Sequence, residues 1–351
     1  MDGRWWGASN LEPPMSTLPS RQVVLARHIP RLPEPEHFRV ERVEVGEPQD
    51  GELRVKTLFA SVDPGTLARL GGVDSYAPAL KLGEVIGSAA AGEVLESRDS
   101  RYAVGDVVVG SWGWREHAVV SARGLRKAEP GAESVSAELG VLGIPGLTAY
   151  FGILELGRPQ AGETVLVSSA AGAVGSISGQ IAKRQGARAV GIAGGPEKCR
   201  WVVESLGFDA CIDYRAEKDL AAAIRRECPQ GVGVYLDNVG GSTLDAALTC
   251  MAMKGRVVVS GLVADYGVPP EARAGLKNTP FLIIQRLRME GFVVFDYAAR
   301  FGEARAELRR WLQDGTLRHR EHIVDGLESA PAVFAGLFRG ENFGRAVVRV
   351  S

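Results

Sequence analysis

Residues 163–186, ETVLVSSAAGAVGSISGQIAKRQG, spell out a strand, a tight turn and the start of a helix. Thr164, Val165, Leu166 and Val167 make a short apolar run of the kind buried in a parallel sheet. Ala170, Ala171, Gly172, Ala173, Val174 and Gly175 then fill a G-x-G-x-x-G frame with alanine in its first slot. Ile177, Ile181 and Ala182 follow at helical spacing. Small residues let the backbone approach a ligand, while the free N–H groups and dipole of a helix start favour negative charge. In this setting the frame predicts a dinucleotide pyrophosphate site. An ordinary tight strand-to-helix connection is the plain alternative.

The same texture extends in the C-terminal direction. Strand-like runs at 189–192, 210–212, 232–236 and 255–260 alternate with helical patterning at 198–206 and 220–227. Strict alternation of this kind predicts a doubly wound parallel sheet, a Rossmann α/β domain. Towards the N-terminus, residues 21–140 are β-rich instead. Short runs at 22–25, 38–40, 52–56, 89–94 and 106–109, separated by Gly and Pro, have the spacing of a small barrel. Between the two, 136–156 carries helical pattern broken by Gly143-Ile144-Pro145-Gly146. The tail opens with a charged helix at 303–312 and closes with a strand at 346–350 that returns to the first domain. Trp112 and Trp114 read as aromatic core. Neither an internal repeat nor a low-complexity segment is visible.

A chain of 351 residues is long enough for two domains, each with its own core. With 41 basic and 42 acidic residues the formal net charge is -1, which implies neither a nucleic-acid nor an anionic membrane partner. No apolar run reaches the ~18 residues of a membrane span. Residues 1–20 lack the apolar core of a secretory signal. Met15 offers a more conventional start, so these residues read as a disordered extension. Cys199, Cys211, Cys228 and Cys250 form no C-x-x-C pair, as expected of a reducing, cytoplasmic setting. No group of Cys, His and Glu has the spacing of a zinc site, and His319 and His322, in the charged run RHREH, read as solvated surface.

Cofactor choice is written at the end of the second Rossmann strand. An NAD site usually places Asp or Glu there, accepting from the ribose hydroxyls. Here the strand runs into Ala193-Gly194-Gly195-Pro196-Glu197-Lys198. Small neutral residues such as Gly194 leave room for a 2′-phosphate, and Lys198 can supply its counter-charge, so NADPH is expected. Taken alone, Lys198 would read as a solvated helix-start lysine.

Together these features resemble the zinc-free medium-chain dehydrogenases/reductases, in the branch of NADPH-dependent 2-alkenal, prostaglandin and curcumin reductases. The resemblance runs from about residue 21 to the end. It rests on Ser61-Val62-Asp63-Pro64, Gly143-Ile144-Pro145-Gly146-Leu147-Thr148-Ala149-Tyr150, the AAGAVGS turn, Leu206-Gly207-Phe208-Asp209, Asp237-Asn238-Val239-Gly240-Gly241, Met289-Glu290-Gly291-Phe292 and Glu341-Asn342-Phe343-Gly344-Arg345. It implies a GroES-like split-barrel catalytic domain built from 21–143 and 303–351 around a Rossmann NADP-binding domain at 144–302. It also implies a homodimer, and a small conjugated carbonyl as substrate. By motif it places Lys198 and Tyr214 near the adenosine phosphate and Asn238 and Asn342 near the nicotinamide–ribose portion. As residues alone, both asparagines could equally be turn formers. In this family the segment after Asp-Pro usually continues Tyr-Met-Arg, whereas here it reads Gly65-Thr66-Leu67-Ala68-Arg69.

The chemistry so implied is reduction of the C=C bond of an α,β-unsaturated aldehyde or ketone. Hydride addition to the β-carbon leaves negative charge on the carbonyl oxygen, which then needs a donor. With no ligands for a Lewis-acid metal, a hydroxyl must serve. Tyr266 follows the fifth Rossmann strand at the ligand-binding end of the sheet and matches the family tyrosine; a packed loop tyrosine is the other reading. Tyr76 is a second catalytic candidate, or a turn residue covering the barrel. A quinone reductase, an enoyl reductase of a biosynthetic pathway and a non-catalytic NADPH-binding protein remain as alternatives.

Overall fold

The computed structural model describes residues 17–72, 78–129, 134–268 and 270–351. Strands β1 (Leu18–Leu25) and β2 (Phe38–Val45) pair as an antiparallel ribbon. Strands β3 (Glu52–Ser61), β4 (Ala89–Ser97), β5 (Val107–Ser111), β6 (His117–Ser121) and β7 (Arg126–Lys127) build the main sheet of the first domain. Period-two alternation buries Leu53, Val55 and Thr57 on one face of β3, as a half-solvated antiparallel sheet demands. The buried Thr57 hydroxyl accepts from the Trp112 indole at 2.9 Å, and Trp114 donates to the Ser61 carbonyl at 2.9 Å. Both tryptophans are therefore core, as read from the sequence.

Helix α1 (Ile144–Phe151) opens the second domain. A 3₁₀ segment, Val135–Leu139, comes before it, so the helical pattern is interrupted at Gly143-Ile144-Pro145-Gly146 as expected, and the same run starts α1: Pro145 sits in the first turn, where its missing N–H costs nothing. A Cβ on Gly146 would lie 1.8 Å from the Val141 carbonyl oxygen. There follow β8 (Thr164–Ser168), α2 (Gly175–Arg184), β9 (Arg188–Ala193), α3 (Pro196–Glu204), β10 (Ala210–Asp213), α4 (Leu220–Glu227), β11 (Val232–Asp237), α5 (Gly241–Leu248), β12 (Met251–Val259), α6 (Pro280–Ile284) and β13 (Arg288–Gly291). The sheet order is β10-β9-β8-β11-β12-β13, every neighbouring pair parallel. This is the doubly wound order whose reversal lies between β8 and β11. Strand β13 escaped the sequence reading because Arg-Met-Glu-Gly is polar, as an edge strand can be.

Helix α7 (Phe301–Gln313), β14 (Glu321–Asp325), α8 (Ala330–Arg339) and β15 (Arg345–Arg349) complete the chain. Ala304, Leu308, Trp311 and Leu317 join the core of the second domain. That core thus runs past the expected 302/303 crossing and ends near Leu317. His322 lies inside β14, which pairs in parallel with β15, so this segment is a strand and not the plain solvated surface its charges implied. β15 in turn pairs antiparallel with β3, Val347 opposite Ser61. Both termini thereby build one sheet.

Glycine inside α2 shows how local cost yields to packing. A Cβ on Gly179 would lie 1.9 Å from the Phe208 ring. Glycine costs ~1 kcal/mol against alanine in a helix, yet burying a Phe side chain contributes ~1.5–3 kcal/mol. Packing wins, and it draws the LGFD segment under the helix that begins at the small-residue turn.

Candidate active site

The turn after β8 sits at the switch point of the sheet. Ser169 takes φ 51°, and Gly172 donates from its N–H to the Ser169 carbonyl at 2.8 Å. Gly175 begins α2 so close beneath that a Cβ would lie 2.3 Å from that carbonyl oxygen. Below the turn, Asp237 is fully buried and accepts from the Ser168 hydroxyl (3.0 Å), the Tyr235 phenol (2.7 Å) and the N–H groups of Val239 and Gly240 (both 3.0 Å). Burial and then this carboxylate push the Tyr235 phenol well above its ordinary range. The network ties the ends of β8 and β11 together beneath the cleft.

Two cavities, of about 400 and 240 Å³, meet along the turn. Ala171 and Gly172 border the larger; Gly172, Ala173, Val174 and Gly175 border the smaller. In the larger, Lys198 and Tyr214, which the resemblance implies lie near the adenosine phosphate, meet around Gly194 together with Arg215, which the sequence reading did not single out. A Cβ on Gly194 would stand 2.9 Å from the Tyr214 ring and 3.0 Å from Arg215 Nε. Lys198 Nζ donates to the Gly340 carbonyl at 2.6 Å, and Arg215 Nη2 donates to the Arg339 carbonyl at 3.0 Å. Both cations thus cap the C-terminus of α8, where the helix dipole favours positive charge. Asp213 Oδ1 accepts from the N–H groups of Gly195 (2.7 Å) and Arg215 (3.1 Å), locking the two loops together. Burial, and then Arg215, hold the Lys198 ammonium below its usual range. Neither cation forms an ion pair among the described residues. The only sequence hint of Arg215 is a basic residue beside Tyr214.

The smaller cavity is bordered by Asp63, Pro64, Gly65, Thr148, Asn238, Tyr266, Asn342 and Arg345. Tyr266 also borders the larger one, so it stands at the seam. Its hydroxyl lies 3.7 Å from an ideal Cβ on Gly261, just past the end of β12. The loop can dock there because Gly267, at φ 69°, has no side chain: a Cβ would lie 1.6 Å from the Arg31 carbonyl oxygen of the first domain. Asn238 Nδ2 donates to the Ser168 carbonyl (2.8 Å) and Asn342 Nδ2 to the Gly344 carbonyl (2.9 Å). Both asparagines therefore shape turns while lining the cleft. Gly344 N–H donates to the Ala171 carbonyl at 2.8 Å, strapping the C-terminal segment over the small-residue turn.

One feature of this end escaped the sequence reading. Arg345, 5 % exposed, is paired with Asp63, whose other oxygen accepts from the Ser61 hydroxyl at 2.6 Å. Burial favours the neutral Asp63, but the guanidinium and these hydrogen bonds hold it below the usual carboxylate range. Arg345 Nε is buried without an acceptor. No sequence pattern joins positions 63 and 345. Arg69 turns to the Pro78 carbonyl (2.9 Å) and lines neither cavity, while Tyr76 lies outside the described residues. Among the described residues no three His, Cys, Asp or Glu side chains gather as a metal site, and no helix is long and apolar enough to cross a membrane.

Comparison with known proteins yields a coherent set. Residues 21–128 match the N-terminal domain of oxidoreductases, and residues 173–310 match a domain described as zinc-binding dehydrogenase. The NADPH-dependent curcumin reductase of Escherichia coli (strain K12) is 40% identical, over 95% of this chain and 97% of its own length. The NADP(+)-dependent 2-alkenal reductase of Nicotiana tabacum is 37% identical, over 95% of this chain and 98% of its own. The structure of CurA in complex with NADPH from Vibrio vulnificus superposes with a TM-score of 0.89 at 36% identity, covering 94% of this chain and 99% of that one.

Proposed function

The chain belongs to the zinc-independent medium-chain dehydrogenases/reductases and is an NADPH-dependent oxidoreductase; from that premise we propose that it reduces the C=C bond of α,β-unsaturated aldehydes and ketones. The cleft has features that suit such a cofactor: a turn closed to any extra Cβ, and two cations that form no ion pair among the described residues. In this reading Ala171, Gly172, Ala173, Val174 and Gly175 hold the pyrophosphate. Gly194, Lys198, Tyr214 and Arg215 hold the 2′-phosphate, and Asn238 and Asn342 border the nicotinamide end. When bound, the cofactor supplies the hydride.

The observation that carries the proposal is Tyr266 at the seam of the two cavities. An enone lying in the smaller cavity presents its carbonyl oxygen to this hydroxyl. As charge develops on that oxygen, the phenol O–H donates to it, an effect worth ~2.7–4 kcal/mol, or roughly 10²–10³ in rate. The docked loop keeps the donor in place and limits water. Tyr266→Phe is expected to lower enone turnover by at least about tenfold while NADPH binding persists. Unchanged turnover removes Tyr266 from the mechanism. Oxidation of NADPH by a small quinone but by neither a 2-alkenal nor a dienone turns the assignment to quinone reduction, and oxidation by none of them to a binding protein.

The same reading includes a homodimer and a cytoplasmic setting. Strand β13 is the outer edge of its sheet, and beside it Ile283 is 81 % and Phe295 62 % exposed. A second copy would cover this apolar edge, so Ile283→Lys with Phe295→Lys is expected to yield monomers by light scattering. All four cysteines are thiols, which fits a reducing compartment.

A further inference from the structure

The Lys198 ammonium borders the larger cavity, half-buried, and no carboxylate pairs with it among the described residues. Its Nζ rests instead against two groups of the segment between α8 and β15. The Gly340 carbonyl accepts from it at 2.6 Å, and the Phe343 ring lies under it with the centroid 5.3 Å away. That ring is itself fixed. It meets Trp201 of α3 edge to face, with centroids 6.0 Å apart and planes at 71°, and the Arg320 guanidinium lies 4.5 Å from its centroid. Arg320 is tied down through its backbone. Its carbonyl accepts from the Arg345 N–H at 3.0 Å, and a Cβ on Gly344 would lie 1.9 Å from the same oxygen. Trp201 comes three residues after Lys198 on α3, a spacing that makes the two side chains neighbours on the helix surface.

We propose that Phe343 is a positioning residue for NADPH recognition: its ring stands where a carboxylate would otherwise be needed, holding the Lys198 ammonium at the cavity with its charge uncancelled. An aromatic face attracts a cation through the ring quadrupole, and more strongly where water is partly excluded. Unlike Asp or Glu the ring carries no net charge, so it neither neutralises the lysine nor repels an arriving phosphate. It also restricts a long, flexible side chain in advance. Without it, that rotamer freedom is lost only when the cofactor binds, at the expense of affinity. Phe343 directly follows Asn342, which borders both cavities, so one short segment serves both ends of the cleft.

The inference rests on the assignment of Lys198 to the 2′-phosphate, and a double-mutant cycle separates the two ideas. In fluorescence titrations of the full-length protein, Phe343→Leu should bind NADPH about two- to tenfold more weakly, the cost of ordering one long side chain on binding, and NADH almost as before. Phe343→Tyr, which keeps the aromatic face, should bind NADPH like the unaltered protein. Phe343→pentafluorophenylalanine keeps the shape but reverses the ring's electrostatics, and should weaken NADPH as leucine does. On a Lys198→Ala background none of the three should change NADPH affinity further. A loss shared equally by NADPH and NADH, full affinity with the fluorinated ring, or an undiminished effect on the Lys198→Ala background overturns the proposal. If Lys198→Ala by itself leaves NADPH affinity unchanged, the phosphate assignment fails, and the role given to Phe343 falls with it.

Discussion

The two ends of the cleft each hold cations, but they satisfy them differently. At the Lys198–Arg215 end the hydrogen bonds go to the carbonyls of Gly340 and Arg339, so the positive charge is oriented but not cancelled. At the Asp63–Arg345 end a carboxylate cancels the guanidinium, and the pair joins the first and last thirds of the chain. In the proposed reading the oriented, uncancelled charge receives the phosphate, whereas the cancelled one is a strut. Carbonyl capping loses little free energy when an anion arrives, because the helix end keeps its dipole and the cations keep their donors.

The largest effect expected from breaking this contrast is at the strut. Asp63→Asn leaves Arg345 buried without its counter-ion and should cost about 3 kcal/mol, the low end of the range for a buried pair, since the Asp63 side chain is 36% exposed. A urea melt measures it, and a loss below that of an ordinary surface change would show the pair to be dispensable. At the other end, Lys198→Ala should weaken NADPH by roughly 10- to 150-fold, from ~1.5–3 kcal/mol for a charge-assisted hydrogen bond, while NADH binding barely changes. Equal losses would mean that the lysine does not read the phosphate. Arg215 is more exposed, so Arg215→Ala should cost only ~0.2–1 kcal/mol, up to about fivefold in NADPH Kd by titration. The smallest effect concerns pH. With the Lys198 pKa lowered from 10.5, NADPH affinity should begin to fall on the alkaline side earlier than for a free lysine. In that window the unfolded chain binds the extra proton, so the same residue makes the ligand-free protein more stable as pH rises. Affinity and stability then move in opposite directions, and Lys198→Arg should flatten both.

These two ends also differ in how far they could be read in advance. Gly194, Lys198 and the AAGAVG turn lie within one strand–turn–helix neighbourhood, where sequence distance is nearly spatial distance. Tyr214 directly follows the next strand of the same sheet. Asp63 and Arg345 are 282 positions apart, and only the pairing of β15 with β3 brings them together. Strands β13 and β14 were missed for a related reason: edge and mixed-polarity strands need no apolar run when one side faces solvent. The GIPG motif was legible as an interruption between two helical segments, its proline suiting the first turn of the second and its glycine a tight approach.

Hydrophobic alternation, the small-residue turn and the absence of an acid after the second strand were enough to specify a Rossmann domain, a β-rich partner and a phosphorylated cofactor, because each of these is enforced by near neighbours along the backbone. The capping of Lys198 and Arg215 by α8, the seam position of Tyr266 and the Asp63–Arg345 strut were decided only by the packing of distant segments. Hydrogen bonds and ion pairs act over a few ångströms of space, and a linear string does not say which remote residues will come within that range.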